Sequence, residues 1–172
     1  MQVAVVVGNP KPRSRTREVA HAVAKWICRH YGGTISQDLD LIDYGRDIFE
    51  SPNDEIDALN LAVAQSDVVV VASPIYKATF TGLLKAFFDR YPNDGLAGVT
   101  AVPVMTAGSP LHGLAIDFAL RPLLVELGAS VPSRGLCFLV PSQMPDLDDV
   151  VERWATDNLT ALAPRTASPD SG

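Results

Sequence analysis

Three runs of largely apolar, β-branched residues constrain this chain more than any other feature. They are Val3 to Val7, ending at Gly8; Asp67 to Ala72, ending at Ser73-Pro74; and Val99 to Met105, ending at Thr106-Ala107-Gly108. A strand with one wet face alternates apolar and polar residues, whereas an unbroken apolar run is buried on both faces, as in a parallel sheet with helices above and below. Between the runs the period changes. From Thr16 to His30, Val19, Val23 and Ile27 recur at every fourth position with Ala20 and Ala24 beside them, which predicts a helix with one stripe toward a core. Gly32-Gly33 ends it.

The remaining segments keep the same alternation. Thr34 to Ile42 is a shorter strand nearer an edge, and the loop from Tyr44 to Asp57 leads into a helix over residues 54–65. A helix over Phe80 to Tyr91 follows the second buried strand, and one over Leu111 to Leu127 follows the third. Ser130 to Val140 contains the last strand and Asp146 to Leu162 the last helix, so residues 1–163 are expected as one domain and 164–172 as a disordered polar tail. Five strand–helix units in 172 residues predict a three-layer α/β sandwich. Its five-stranded parallel sheet has the order 2-1-3-4-5, the flavodoxin-like arrangement, rather than that of the six-stranded dinucleotide fold. In such sheets ligands bind beyond the carboxyl ends of the strands, which directs attention to the loops after Gly8, Ala72 and Met105.

Charge narrows the ligand. With 14 Lys and Arg against 20 Asp and Glu the formal charge is −6, and no basic run is long enough for nucleic acid or an anionic membrane. Two cysteines make neither a disulfide framework nor a zinc cluster, so no metal is expected. The N-terminus lacks the layout of a signal peptide and no stretch approaches a membrane span, so the expected compartment is the cytoplasm. Against this acidic background Lys11, Arg13, Arg15 and Arg17 are crowded into one short segment.

That segment is the first loop, Gly8-Asn9-Pro10-Lys11-Pro12-Arg13-Ser14-Arg15-Thr16, and it opens into a helix N-terminus, where free N–H groups and the dipole favour an anion. Ser14 and Thr16 can donate hydroxyl hydrogen bonds and Lys11 and Arg15 supply charge, so a phosphate is the natural guest. Taken alone, the loop is equally a capped helix with solvated cations. The second loop, Ser73-Pro74-Ile75-Tyr76-Lys77-Ala78-Thr79, offers an apolar wall in Pro74, Ile75 and Tyr76, and donors around Tyr76 to Ala78 with Lys77. A planar redox ring needs both. Its plainer reading is a covered sheet edge with a solvated lysine. The third loop, Thr106-Ala107-Gly108-Ser109-Pro110-Leu111-His112-Gly113, is built of small residues that let backbone approach a flat ring, or else is an ordinary capped turn. His112 is more simply structural than catalytic.

Together these three loops, with the continuation Leu114-Ala115-Ile116-Asp117-Phe118-Ala119-Leu120-Arg121-Pro122, resemble the flavodoxin-like NAD(P)H-dependent FMN reductases over nearly the whole chain. The closest branch is the reductase component of two-component alkanesulfonate monooxygenases. The resemblance implies that Asn9, Lys11, Ser14, Arg15 and Thr16 hold the FMN phosphate. It implies that Pro74, Ile75, Tyr76 and Lys77 line the isoalloxazine, and that Thr106, Ala107, Gly108 and Ser109 close its other edge. FMN and NADPH or NADH are the implied cofactors, and a flavin-dependent monooxygenase the implied recipient of reduced flavin. The family usually has Ser at Asn9 and Arg at Lys11, and this branch commonly has Tyr or His at Phe118. Pro122 lacks an N–H and crowds the carbonyl of Phe118, which predicts a kink or bulge in that helix.

Hydride transfer between stacked rings needs apposition rather than an acid–base dyad, so no catalytic side chain is expected. Two other readings use the same loops: a flavoprotein with tightly bound FMN that reduces quinones, azo compounds or metal oxyanions, and a flavodoxin-type electron carrier. The apolar residues of the helix Phe80 to Tyr91 (Leu83, Leu84, Phe87, Phe88) span more circumference than one core face needs, which predicts a homodimer or homotetramer packed through it.

Overall fold

Alternate residues of the buried strands separate two cores. In the computed structural model, which describes residues 1–140 and 142–163, Val3, Val5 and Val7 pack on one side of the sheet and Ala4 and Val6 on the other. The strands are β1 (Gln2–Val7), β2 (Thr34–Asp40), β3 (Val68–Pro74), β4 (Thr100–Ala107) and β5 (Leu136–Leu139). They form one parallel sheet of order β2-β1-β3-β4-β5, as the alternation of periods predicts. Helices α1 (Arg15–Tyr31) and α5 (Leu147–Asp157) cover the first face; α2 (Asp54–Ala64), α3 (Gly82–Phe88) and α4 (Arg121–Glu126) cover the second. A four-residue helix, α6 (Leu159–Leu162), follows α5. The tail expected at 164–172 lies outside the described residues.

The pairing register is what sets up a site. Val7 stands opposite Ala72, Pro74 opposite Thr106, and Ala107 opposite Leu139. The carboxyl ends of β1, β3, β4 and β5 therefore finish level with one another, and their loops emerge at one rim.

Two elements depart from the sequence expectation. Helix α3 is shorter than Phe80 to Tyr91: Thr81 caps it, its hydroxyl accepting the Leu84 N–H at 3.2 Å, and the helix stops before Asp89. Leu84, Phe87 and Phe88 are buried within the chain itself. Two short 3-10 turns, Leu41–Tyr44 and Asp47–Phe49, pack against α3 as well, so much of its apolar surface is intramolecular, while Leu83 stays half-buried.

The helix expected from Leu111 to Leu127 is broken. A 3-10 turn, Pro110–His112, is followed by a π-turn at Ile116–Leu120 and only then by α4. The cause is Pro122, which cannot donate to the carbonyl of Phe118; the ladder widens, and the Arg121 N–H bonds to Ile116 O, five residues back. The last strand lies within Ser130 to Val140 as expected: it is β5, preceded by an isolated bridge from Ser130 to Thr100.

Candidate active site

The first loop is tied to its neighbours before any ligand is considered. The Gly8 N–H donates to Ala72 O at 2.8 Å, and Gly8 O accepts the Thr81 hydroxyl at 2.5 Å. Gly8 is needed for space: a Cβ there would stand 2.5 Å from Leu84 Cβ and 3.1 Å from its Cα. Ser14 caps α1, its hydroxyl accepting the Arg17 N–H at 3.3 Å. The N–H groups of Arg15 and Thr16, first in a helix of 17 residues, have no partner within it.

A buried polar trio joins the first loop to the third. Asn9 Nδ2 donates to Thr16 Oγ1 at 2.8 Å, and Thr16 Oγ1 lies 2.7 Å from Thr106 Oγ1. All three side chains are nearly inaccessible to solvent. One proton satisfies the contact between the two hydroxyls, so the other hydroxyl proton has no acceptor inside the trio. Asn9 Oδ1 in turn accepts the Lys11 N–H at 2.9 Å, which shapes the loop.

The second loop is a two-residue hairpin. Tyr76 and Thr79 exchange backbone bonds at 2.9 and 3.2 Å, with Lys77 (φ 52°) and Ala78 (φ 66°) both left-handed at its tip. It is anchored to the third loop by the Ile75 N–H on Thr106 O at 2.9 Å, and to the start of α3 by the Thr81 N–H on the Ser73 hydroxyl at 3.0 Å. The rim is completed from β5, where the Val140 N–H donates to Ala107 O at 2.8 Å.

These ties enclose a cleft of about 490 Å³. Asn9, Lys11, Ser14, Arg15 and Thr16 form its polar end, Pro74, Ile75 and Tyr76 one wall, and Thr106, Ala107 and Gly108 the other. Two expected residues fall outside the lining. Lys77 lies at the hairpin tip and borders a separate hollow with Tyr76 and His112, and Ser109 turns away to cap the Pro110–His112 turn, its hydroxyl accepting the Leu111 N–H. Pro12, Arg13 and Val140 also line the cleft, beside the residues expected to hold FMN. Arg13 and Pro12 sit inside the basic loop, and Val140 follows β5, so the rule that ligands sit beyond carboxyl strand ends would have found it.

The charges at the polar end are unevenly committed. Arg17 is paired with Asp38, which also meets His21 at 2.9 Å. Lys11, Arg13 and Arg15 form no ion pair among the described residues. Asp40, beneath the loop, has its pKa raised, chiefly by burial and then by Asp43, against the opposing pull of the Arg13 backbone N–H and of Arg17. Burial also raises the thiol of Cys137. No cluster of metal-ligating side chains occurs among the described residues, and no helix there is long and apolar enough to cross a membrane.

The sheet order, the level strand ends and a cleft with one phosphate-like and one flat end define a nucleotide-binding oxidoreductase of the flavodoxin-like class. Residues 1–142 match the family described as NADPH-dependent FMN reductase, and the chain belongs to that family. It is 32% identical over 139 residues to the FMN reductase (NADPH) of Pseudomonas putida strain KT2440, covering 79% of this chain and 70% of that one. It is 43% identical over 75 residues to the NADH-dependent FMN reductase SfnF of Pseudomonas putida, 44% of this chain and 40% of SfnF. Among solved structures it superimposes on the apo form of the NADH:FMN oxidoreductase EMOB with a TM-score of 0.75 at 27% identity, over 91% of this chain and 89% of that one. It is accordingly an oxidoreductase that uses FMN and a reduced nicotinamide nucleotide.

Proposed function

We propose that the three-loop cleft is where this chain binds FMN, reduces it with NADPH or NADH, and releases it to a flavin-dependent monooxygenase. The observation that carries the reading is the convergence of a helix N-terminus, an apolar hairpin wall and a small-residue loop on a single cleft of about 490 Å³. The residues fit the group. The uncommitted N–H groups of Arg15 and Thr16, the Ser14 hydroxyl, the spare proton of the Thr16–Thr106 pair, and the charges of Lys11 and Arg15 suit a phosphate dianion. Pro74, Ile75 and Tyr76 lie beside Ala107 and Gly108 along the same cleft, which gives a planar ring an apolar wall and small neighbours, and a Cβ on Gly108 would meet nothing within 4 Å.

Bound flavin supplies the hydride-accepting ring. The chain's work is positional: the Asn9–Thr16–Thr106 trio fixes the phosphate end relative to the third loop, and the Tyr76–Thr79 hairpin sets the wall. Tyr76 is 45% exposed and Gly108 is exposed too, so the ring end of the cleft is open to a second nucleotide and to exit. That openness supports flavin as a released product. Two half-buried free thiols accord with a reducing cytoplasm.

We infer further that the chain is a homodimer or homotetramer, closed not through α3 but through the segment after β4. Leu111, Leu114 and Phe118 are 87%, 67% and 78% exposed, three large apolar groups on one short stretch beside the cleft. Light scattering is expected to give a multiple of the chain mass that falls in Phe118→Asp; a monomer would overturn this inference. The reductase reading is tested by adding purified protein to FMN with NADPH or NADH. Expected is nucleotide oxidation well above that by free FMN, with bleaching of the flavin band under anaerobic conditions; no acceleration would refute it.

A further inference from the structure

The polar end of the cleft turns on an arginine in an unfavourable conformation. Arg13 has φ 50°, a left-handed value that costs free energy in any residue with a Cβ. The reversal sends the chain from Pro12 back into Ser14, the cap of α1, and all three residues border the cleft. Beneath this turn lies Asp40. It is the last residue of β2, in register with Val7, the last of β1, and its side chain is buried.

The Arg13 N–H meets the Asp40 carboxylate, which is otherwise poorly compensated. Its Oδ1 has no hydrogen-bond partner, and Arg17, with Nε 3.9 Å from Oδ2, has its terminal nitrogen on Asp38 instead. Asp38 on β2 and Asp43 on the following turn both repel it. A buried carboxylate so placed is a poor stabiliser of the fold. Its position leaves it another role, as the acceptor that holds a strained turn at the edge of the cleft.

We propose that Asp40 is a positioning residue for the phosphate of the flavin: it holds the Arg13 turn, and through it the Ser14 cap and the N–H groups of Arg15 and Thr16, without touching the ligand. The proposal rests on the reading of the cleft as an FMN site and adds a residue that lies outside its lining. The ring walls are tied to β3 and β4, which lie across β1 from β2, so Asp40 governs the phosphate end and not the ring end.

The test is fluorescence titration of the full chain with FMN and with riboflavin, which has the same ring and no phosphate. The unmodified chain is expected to bind FMN more tightly. Asp40→Ala is expected to weaken FMN about fivefold or more, the scale of the strain of one left-handed residue no longer held, with riboflavin unmoved. Asp40→Leu keeps the shape without the acceptor and should match alanine, which separates the loss from a cavity and keeps the test decisive if the alanine variant does not fold. Asp40→Asn keeps an acceptor and should recover most of the preference for FMN. In an Arg13→Gly background, where φ 50° carries no penalty, removal of the Asp40 acceptor should change FMN affinity less than twofold. An unchanged preference for FMN in Asp40→Ala and Asp40→Leu, an equal loss for riboflavin, or a full loss in the Arg13→Gly background would overturn the proposal. Failure of the underlying reading looks different: the unmodified chain then binds FMN no more tightly than riboflavin, and the proposal falls with it.

Discussion

Replacing Thr16 with valine removes one oxygen and almost no volume, which makes it a clean probe of the trio that joins the first and third loops. Thr16 Oγ1 holds Asn9 Nδ2 at 2.8 Å and Thr106 Oγ1 at 2.7 Å, all but out of solvent. Each lost bond is worth about 1 kcal/mol net, and a donor left buried without a partner adds to that, so about 2–4 kcal/mol is expected. For a chain of this size that lowers Tm by roughly 4–16 °C. Thr16→Ser restores the hydroxyl and should recover most of the loss, the missing methyl accounting for the remainder. Thermal melts of the three proteins, with fluorescence titrations of FMN, give the comparison. FMN affinity is expected to fall in Thr16→Val by more than in Thr16→Ser, because the trio also sets the phosphate loop. If valine melts with the unmodified protein, or serine rescues neither stability nor affinity, the trio does not carry the role assigned to it.

Three further outcomes follow from local geometry. Gly8→Ala sets a Cβ 2.5 Å from Leu84 Cβ and is expected to cost about 1–3 kcal/mol through overpacking, read as a lower Tm; an unchanged melt would mean that α3 yields freely. Ala78→Gly relieves a left-handed alanine (φ 66°) and, after the entropy cost of glycine, should stabilise by about 0.5 kcal/mol, while Ala78→Val should melt lower. A glycine variant less stable than the parent would refute the strain. For Asp40, a pKa raised by burial means the folded chain binds that proton more tightly than the unfolded one. The ionised carboxylate therefore destabilises the fold above its folded pKa, and the penalty fades as pH falls through that value toward the ordinary aspartate range. Asp40→Asn should accordingly raise Tm at pH 7 and give a smaller gain near pH 4; an equal or larger gain at the acid end would contradict the assignment.

What could be read from the residues in order was whatever is periodic or local. Three unbroken apolar runs separated by stripes of period 3.6 are enough to define the central strands, their burial and a parallel sheet, because burial on both faces leaves no polar alternation. Ser14 as a cap, the basic first loop and the disruption at Pro122 belong to the same kind of knowledge, since each depends on neighbours a few positions away. Tertiary structure decided the rest. It brought Thr106 within 2.7 Å of Thr16 across 90 positions, and it added Val140 and Arg13 to the cleft lining while leaving Lys77 and Ser109 outside. It also packed the turns at Leu41–Tyr44 and Asp47–Phe49 on α3, so that Leu84, Phe87 and Phe88 are core, and it left Leu111, Leu114 and Phe118 as large exposed apolar groups. The physical reason is one of range: hydrophobic period reports that a face is buried, and only the register of distant strands determines what buries it.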